Sequence, residues 1–303
     1  MPALLIIFCI QHLGVPRVVS NIHPLASVHP QAKIGCSVTI GPFCVVEENV
    51  VLGDGCLLGS HVVIKRGTTL GENNHIGDAA ILGGLPQHVQ AGNSNGHLVL
   101  GRENTVREFA TIHRALDSSE KTMIGNNCLI MIGVHVAHDC HVGNHAILVN
   151  NVMLAGHVVV EERAYLGGGA AVHQFCRVGK LSMVGGMARV TQDVLPYVTI
   201  DGASTKVVGL NLIGLRRFGF NQNQIAELKE AYRVIYRRSH SWEQVTPMLE
   251  TQFPQGPASL FAHFIRASQR GITPERRGTQ HTTLKFRGNH EPAVAQANTR
   301  KAG

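Results

Sequence analysis

Three histidines are spaced so that a repeating scaffold would bring them together. His138, His157 and His173 each follow, within three residues, an aliphatic residue, and these three aliphatic residues are 18 positions apart. If the fold repeats every 18 residues, the histidines lie along one edge of three successive coils. His135 precedes the same corner, and the backbone of Gly156 would lie directly over the imidazole of His138. The spacing therefore predicts a cluster of imidazoles beside a bare glycine backbone.

Such a cluster could perform two kinds of chemistry. In the first, Asp139 orients His138, which takes a proton from a hydroxyl group while the Gly156 N–H stabilises an oxyanion. In the second, several neutral imidazoles from neighbouring subunits hold zinc, as in carbonic-anhydrase-type enzymes built on a similar repeat. We favour general-base catalysis without a metal, because the neighbouring polar residues suit sugar recognition and no further metal-ligand pattern is present.

The repeat that must position these residues has a period of six. Of the 29 positions taken every sixth residue from Ile22 to Val190, 26 are Ile, Leu or Val, and the exceptions are His88, Ser94 and Ser118. A helical period of 3.6 cannot produce a strict six. The hexad frame therefore predicts inward-facing aliphatic ladders on successive coils.

Glycine often follows the aliphatic residue, where a turn needs a residue without Cβ, and a small residue often stands four positions after it. Five cysteines occupy this small phase and are expected to be buried: Cys44, Cys56, Cys128, Cys140 and Cys176. Three hexads make one 18-residue coil with three faces. The predicted fold class is mainly β, a left-handed parallel β-helix of hexapeptide repeats with a C-terminal α-helical domain.

The frame and its interruptions divide the chain into four parts. Helical spacing after Asn221, and a capping pair at Ser241 and Gln244, predict helices beyond the β-helix. The late chain is polar and basic, which predicts disorder. The predicted parts are a leader at 1–21, a β-helix at 22–205 with projecting loops at 83–98 and 114–122, a helical domain at 206–271 and a disordered basic tail at 272–303.

Composition narrows the location and the partners. The 303 residues carry a formal net charge of +7, and much of the excess lies after Gly214, so no concentrated basic face for nucleic acid is expected. An anionic small substrate or an acidic protein partner fits better. The apolar leader lacks a preceding basic region and is too short to cross a bilayer. We interpret it as a stray extension or a mis-assigned start, and expect a cytoplasmic protein with no stable membrane insertion.

Five segments, in order, resemble the UDP-N-acetylglucosamine 3-O-acyltransferases of lipid A synthesis. The resemblance covers roughly residues 22–271, and the order of the segments is more specific than the hexads, which many acyltransferases share. The segments are 135–140 (HVAHDC), 148–151 (LVNN), 154–158 (LAGHV), 171–175 (AVHQF) and 214–220 (GLRRFGF).

The resemblance implies transfer of a 3-hydroxyacyl group from acyl carrier protein to the glucosamine 3-hydroxyl of UDP-N-acetylglucosamine, the first step of lipid A synthesis. It implies no metal or other cofactor, and sites between the subunits of a homotrimer. His138 would be the general base, Asp139 would orient it and Gly156 would supply the oxyanion contact. The implied substrate-binding residues are His135, His157, His173 and Gln174 for the sugar and acyl groups, Gln87 in the first loop, and Asn211 and Arg217 for the nucleotide.

The chain also departs from the pattern of that family. After Gln87 the family carries an acidic residue and a lysine, whereas this chain has His88 and Gln90. An acidic residue near the nucleotide is replaced by Ile213. Gly186 matches a position where a small residue leaves the acyl groove deep. The departures therefore bear on recognition of the acyl hydroxyl and of the nucleotide.

Three alternatives remain at the level of sequence. An N-acyltransferase of the same pathway would carry an additional N-terminal uridine-binding domain, which is not evident in this chain. A zinc hydratase predicts stoichiometric metal that depends on His138. A non-catalytic β-helical scaffold predicts that His138 can be replaced without loss.

Overall fold

Short strands follow one another from Asn21 to Leu210 in a computed structural model, which describes residues 19–89, 91, 95–237 and 240–276. Most strands contain two residues, an outward one followed by an inward aliphatic one. The predicted leader lies outside the described residues except for 19–21, and the predicted tail lies outside them beyond residue 276.

The strands are numbered in chain order. Before the first projecting loop they are β1 (Asn21–Ile22), β2 (Ser27–Val28), β3 (Lys33–Ile34), β4 (Thr39–Ile40), β5 (Val45–Val46), β6 (Val51–Leu52), β7 (Leu57–Leu58), β8 (Val63–Ile64), β9 (Thr68–Leu70), β10 (His75–Ile76) and β11 (Ile81–Gly84). Around the second loop they are β12 (His97–Leu100), β13 (Thr105–Val106), β14 (Thr111–His113) and β15 (Lys121–Ile124). The later strands are β16 (Leu129–Ile130), β17 (His135–Val136), β18 (His141–Val142), β19 (Ile147–Leu148), β20 (Met153–Leu154), β21 (Val159–Val160), β22 (Tyr165–Leu166), β23 (Ala171–Val172), β24 (Arg177–Val178), β25 (Met183–Val184), β26 (Arg189–Val190), β27 (Val198–Ile200) and β28 (Val207–Leu210).

Up to β26, every third strand joins the same sheet, so the chain winds around a three-sided prism. Face A has 11 strands and runs from β1 to β28, face B has nine and runs from β2 to β26, and face C has eight and runs from β3 to β24. All strand pairs are parallel except β27 with β28. The prediction of a left-handed parallel β-helix is confirmed. We name the edges of the prism by the faces that their turns join: A–B, B–C and C–A.

The stacking interval is not 18 throughout, and this corrects the arithmetic of the sequence prediction. Val136 lies under Leu154 at the 18-residue interval, but Thr111 pairs with His135, 24 residues later. In the coil before that, Ile81 pairs with Thr111, a 30-residue interval like that between Asn74 and Asn104. The longer intervals arise because the two loops are inserted between faces B and C without changing the order of the faces.

The inward ladders form the core. Ile64, Leu82 and Val136 have no exposed surface, and the small phase, including Cys140, is equally buried. Burying one such aliphatic side chain contributes about 1.5–3 kcal/mol, so the repeat stabilises every coil to a similar extent. The result is a rigid support for the turns at the edges.

Both projecting loops leave face B. The first covers residues 85–96 between β11 and β12, and the second covers residues 114–120 between β14 and β15. The hexad frame predicts wider gaps, 83–98 and 114–122. The loops are shorter in the structure because the residues at their ends pair as extensions of β11, β12 and β15. Leu98 with Thr122 is one such added pair.

Four helices follow the strands, as the helical spacing predicts: α1 (Leu212–Arg217), α2 (Gln222–Tyr236), α3 (Trp242–Gln252) and α4 (Ser259–Arg266). The Gln224 side chain accepts from the Asn221 N–H and the Gln244 side chain from the Ser241 N–H, each at 3.0 Å, at the starts of α2 and α3. Within the described residues, no helix has the length and apolar character needed to cross a membrane.

The first residues of the predicted tail are packed against the prism. Ile272 bridges to Asp193 and Glu275 bridges to Val207, and both are nearly fully buried. The Tyr232 hydroxyl donates to the Glu275 carboxylate at 2.7 Å, which fixes this segment on α2. Residues 272–276 thus differ from the predicted disordered tail. Strand bridges and a buried side-chain hydrogen bond hold this segment in place, although its composition does not distinguish it from the rest of the predicted tail.

Candidate active site

His138 lies on the B–C edge, in the turn that joins β17 to β18. Val136 fixes the turn by pointing into the core, and Asp139 adopts φ +59°, in the left-handed region that Asp and Asn tolerate better than most residues. The His138 side chain is only 8% exposed and the Asp139 side chain 10% exposed. The pair is therefore shielded from bulk water at an edge of the prism.

His138 and Asp139 form a close pair. His138 Nδ1 lies 2.7 Å from Asp139 Oδ2. The Asp139 carboxylate also accepts from the Leu116 N–H at 3.3 Å, and the Asp139 N–H donates to Thr122 Oγ1 at 2.8 Å. With Nδ1–H directed to a carboxylate that is itself held in place, Nε2 of His138 is left as the basic nitrogen.

Gly156 lies one coil above His138, as the register predicts. A Cβ at Gly156 would lie 2.6 Å from His138 Cε1 and 2.8 Å from Nε2, so only glycine leaves that edge of the ring in place. The Gly156 N–H donates to no residue in the described part of the chain. An N–H beside a basic nitrogen is the arrangement that an oxyanion requires.

His157 completes the group of contacts around His138. Its ring meets the His138 ring edge-on at 5.2 Å and stacks on Phe175 at 4.6 Å, while its Nε2 lies 3.7 Å from Asp139 Oδ2. One ligand atom from each of His138, Asp139 and His157 lies within 4.8 Å of the others, so these three residues could also hold a metal ion.

His135 lies on the outer side of β17, next to this group. Its Nδ1 is 2.9 Å from Thr111 Oγ1, and its ring is 5.0 Å from that of His113. His113 Nδ1 donates to the Leu85 carbonyl at 2.6 Å, which ties the first loop to the coil. Sequence reasoning did not select His113 or Thr111, although a 24-residue interval would have placed Thr111 against His135, with His113 two residues further along.

The first loop also brings His88 to the edge. Its ring meets that of His138 edge-on at 5.5 Å, and Gln87 beside it is exposed. The sequence marked His88 as a departure from the family pattern, and no sequence signal predicted contact with the proposed base. His88 therefore belongs to the surroundings of His138.

His173 and Gln174 lie one coil above Gly156 and are exposed on the same edge. Arg270 donates from its Nη2 to His173 Nδ1 at 3.2 Å, a contact from the C-terminal region that the sequence did not predict. The B–C edge thus gathers most of the predicted site residues.

Three predicted residues lie elsewhere in the single chain. Gly186 lies on the A–B edge, in the turn from β25 to β26. Asn211 caps α1, accepting from the Gly214 N–H at 3.0 Å and donating to the Leu181 carbonyl at 2.9 Å. Arg217 is exposed at the end of α1. None of the three shares the edge of His138, so one chain does not form a common site from all of them.

Burial sets the charge states around the edge. Desolvation lowers the pKa of His113, His135 and His157 below the ordinary histidine value of 6.5; for His157 the charge of Asp139 opposes this change. Burial raises the pKa of the Cys140 thiol to about 12, and its Sγ donates to the Ala155 carbonyl. Burial therefore favours the neutral form of His113, His135 and His157 and the protonated thiol of Cys140.

Two family profiles match the chain. The profile described as "UDP N-acetylglucosamine O-acyltransferase; Domain 2" matches residues 193–273. The profile of bacterial transferase hexapeptide repeats matches residues 31–66 and 121–156. Together they match parts of the prism and the helical region.

Relatives match over most of their length. The acyl-[acyl-carrier-protein]–UDP-N-acetylglucosamine O-acyltransferase of Anaeromyxobacter dehalogenans is 43% identical over 83% of this chain and 99% of its own. The enzyme of the same name from Burkholderia orbicola is 44% identical over 84% and 99%. The solved UDP-N-acetylglucosamine acyltransferase of Francisella novicida aligns with a TM-score of 0.82 at 36% identity, over 89% of this chain and 100% of its own. The chain belongs to the UDP-N-acetylglucosamine O-acyltransferase family.

Proposed function

We propose that the protein transfers a 3-hydroxyacyl group from acyl carrier protein to the 3-hydroxyl of UDP-N-acetylglucosamine, the first step of lipid A synthesis. The observation that carries the proposal is the Asp139–His138 pair with the Gly156 backbone close against the imidazole ring. A general base with a free Nε2 beside an oxyanion donor suits acyl transfer to an alcohol.

In the proposed mechanism, His138 Nε2 removes the proton from the sugar 3-hydroxyl as its oxygen attacks the thioester carbonyl. The Gly156 N–H stabilises the negative charge on the carbonyl oxygen of the tetrahedral intermediate. Asp139 stabilises the imidazolium through Nδ1–H. When the intermediate collapses, the C–S bond breaks and the departing thiolate takes the proton from His138. The hydroxyl proton thus ends on the carrier thiol, and no cofactor is consumed.

We assign substrate binding to the residues around this centre. His135, His157, His173, Gln174 and Gln87 are exposed or half-buried on the same edge or in its loop, where they can hold the sugar and the acyl group.

We propose a homotrimer. Gly186, Asn211 and Arg217 lie away from the His138 edge in a single chain, so a neighbouring copy has to bring them to it. There Arg217 would bind phosphate with its fork of donors, Asn211 would contact the nucleotide and Gly186 would leave space for the acyl chain. Light scattering should give three times the mass of one chain, and an active monomer would contradict this arrangement.

The direct test is an acyl-transfer assay with UDP-N-acetylglucosamine and 3-hydroxyacyl carrier proteins of several chain lengths. We expect an ester at the sugar 3-hydroxyl, identified by mass spectrometry and NMR. Replacing the donor with the matching carrier that lacks the 3-hydroxyl tests whether that hydroxyl is recognised beside His88. Failure to acylate UDP-N-acetylglucosamine with any donor would overturn the proposal. We place the reaction in the cytoplasm.

A zinc enzyme is the second candidate, because His138, Asp139 and His157 could hold a metal ion. Elemental analysis of the purified protein separates the two functions. Stoichiometric zinc that is lost in His138→Ala, together with activity abolished by chelators, would replace the general-base assignment. We expect acyl transfer to survive extensive dialysis against a chelator.

A further inference from the structure

The chain segment after α4 is fastened to the last turn of the B–C edge, which follows β26. The Asp193 N–H donates to the Gly271 carbonyl at 2.8 Å, and the Thr273 N–H donates to the Asp193 carbonyl at 2.9 Å. The Asp193 carboxylate, which has no exposed surface, accepts from Ser268 Oγ at 2.7 Å. The C-terminal region therefore holds residues 268–273 against the edge that carries the histidines.

Arg270 lies within this segment and contacts His173, one coil below the turn that holds the segment. Arg270 Nη2 lies 3.2 Å from His173 Nδ1 and 3.5 Å from the Thr191 carbonyl oxygen. Thr191 occupies the turn position of His173 in the next coil. Arg270 thus reaches His173 from the coil that is farther from His138.

The Nδ1 atom of His173 has two possible hydrogen-bond partners. It lies 3.2 Å from Arg270 Nη2 and also 3.2 Å from the Gln174 carbonyl oxygen. A guanidinium can only donate, so a hydrogen bond with Arg270 requires Nδ1 to accept and places the ring hydrogen on Nε2. A hydrogen bond with the Gln174 carbonyl requires the reverse, with the hydrogen on Nδ1 and a bare Nε2. The two partners therefore select different tautomers.

The contact with Arg270 is the stronger of the two because its donor is charged. Hydrogen bonds from charged donors are about twice as strong as those between neutral groups. A hydrogen on Nδ1 would also set two donors against each other and remove an acceptor from the guanidinium. His173 is exposed, and its Nε2 has no partner among the described residues. The hydrogen on Nε2 is therefore left for a ligand.

We propose that Arg270 is a positioning residue that fixes the tautomer of His173 with the hydrogen on Nε2, so that His173 donates to an acceptor oxygen of the substrate. This inference rests on the proposed function, in which His173 binds substrate. The turn of His173 is two coils, about 10 Å, from the turn of His138. Arg270 acts through His173 and does not itself touch the substrate.

Oppositely charged neighbours thus give two histidines of one edge opposite tautomers. Asp139 accepts from Nδ1 of His138 and leaves Nε2 as a base. Arg270 donates to Nδ1 of His173 and leaves Nε2–H as a donor. The edge therefore presents one proton acceptor and one hydrogen-bond donor, although both groups are neutral imidazoles.

Nitrogen NMR reads the tautomer directly and needs no turnover. Protein labelled with ¹⁵N-histidine is measured by magic-angle spinning at about pH 8.5, above the ordinary histidine range. The His173 signals are those that disappear in His173→Gln. We expect the hydrogen on Nε2 in the wild type and a shift toward the Nδ1–H form in Arg270→Met. A wild-type hydrogen on Nδ1 would overturn the proposal whatever the fold of the variant, and so would an unchanged tautomer in Arg270→Met.

Steady-state kinetics tests whether Arg270 acts through His173. Arg270→Met should lower kcat/KM about fivefold through a higher KM, as the loss of one hydrogen bond to bound substrate allows. Arg270→Lys keeps a charged donor and should restore most of the loss. In a His173→Gln background the Met replacement should have no further effect. An equal loss in both backgrounds would mean that Arg270 supports the fold independently of His173, and would contradict the proposal.

Arg266→Met is the matched control. Arg266 is the last residue of α4, four positions before Arg270, and it pairs with Glu250 on α3. Its replacement should leave the His173 tautomer and kcat/KM unchanged, and the changes expected for Arg270→Met would contradict the assignment if they appeared here. The inference and the proposed function fail separately. Absence of acyl transfer refutes the function, whereas the spectra report the tautomer whether or not transfer occurs.

Discussion

Two edges of the same prism use one turn position for different purposes. On the C–A edge, Asn126 accepts from the Arg102 N–H and Asn144 accepts from the Asn126 N–H, each at 2.8 Å, so the side chains close the turns of adjacent coils. On the B–C edge the same position holds His138 and Gly156. The His138 side chain pairs with Asp139, and the Gly156 N–H has no acceptor among the described residues. Turns on the C–A edge thus satisfy the backbone N–H groups of neighbouring coils. Turns on the B–C edge instead leave polar groups available for a ligand.

The largest effect should come from removing the base on the B–C edge. His138→Ala should lower kcat by a factor of about 10²–10⁴, the usual contribution of a positioned general base. His145→Ala, at an exposed turn of the C–A edge, is the control and should retain wild-type kcat. Steady-state kinetics checks both variants, and comparable losses in the two would remove the distinction between the edges.

A methyl group added at Gly156 should have the next largest effect. Its Cβ would lie 2.6 Å from His138 Cε1, so the imidazole must move, and kcat should fall by about 100-fold. Gly125→Ala brings a Cβ equally close to Asn144 Oδ1 on the C–A edge. That variant should lose thermal stability while its kcat stays near the wild-type value, as calorimetry and kinetics would show.

Removing an asparagine from the C–A edge should affect stability alone. Asn144→Ala removes the acceptor of the Asn126 N–H and of its side-chain amide, which should cost about 1 kcal/mol in the free energy of unfolding. Urea denaturation measures the loss, with kcat expected to be unchanged. A tenfold fall in kcat would mean that the two edges are coupled.

Acidification should destabilise the B–C edge by a smaller amount. The pKa of His113, His135 and His157 is lowered in the folded state, so the unfolded chain binds more protons as the pH falls below about 7. Stability should therefore decline through pH 6.5 and continue to decline until the folded imidazoles protonate. Tm measured from pH 7.5 to 5.5 should fall, and less so in His113→Gln. The same replacement at His145 should leave the fall unchanged.

The hexad frame predicted the prism because a six-residue aliphatic period has few structural solutions. It also predicted that His138, Gly156 and His157 lie together, because these residues are on the C-terminal side of the loops, where the interval of 18 holds. His88 and His113 were not predicted to join the cluster, because loop residues have no period and because the interval changes to 24 and 30 beside the loops. Gly186 and Arg217 could not be placed beside His138 by register, since they lie away from the B–C edge, Gly186 on the A–B edge and Arg217 at the end of α1.

The C-terminal end of face A has a consequence for solubility. A stack of parallel strands presents unpaired backbone groups at its ends, which can recruit strands from other molecules. Here β28 runs antiparallel to β27 and shifts its register near Ile200, while Glu275 bridges to Val207 beyond it. The final strand of face A is thus reversed, irregular and bridged by Glu275, which disfavours continuation of this ladder by a strand of another molecule. The same segment that ties the helices to the prism therefore also protects this end of face A.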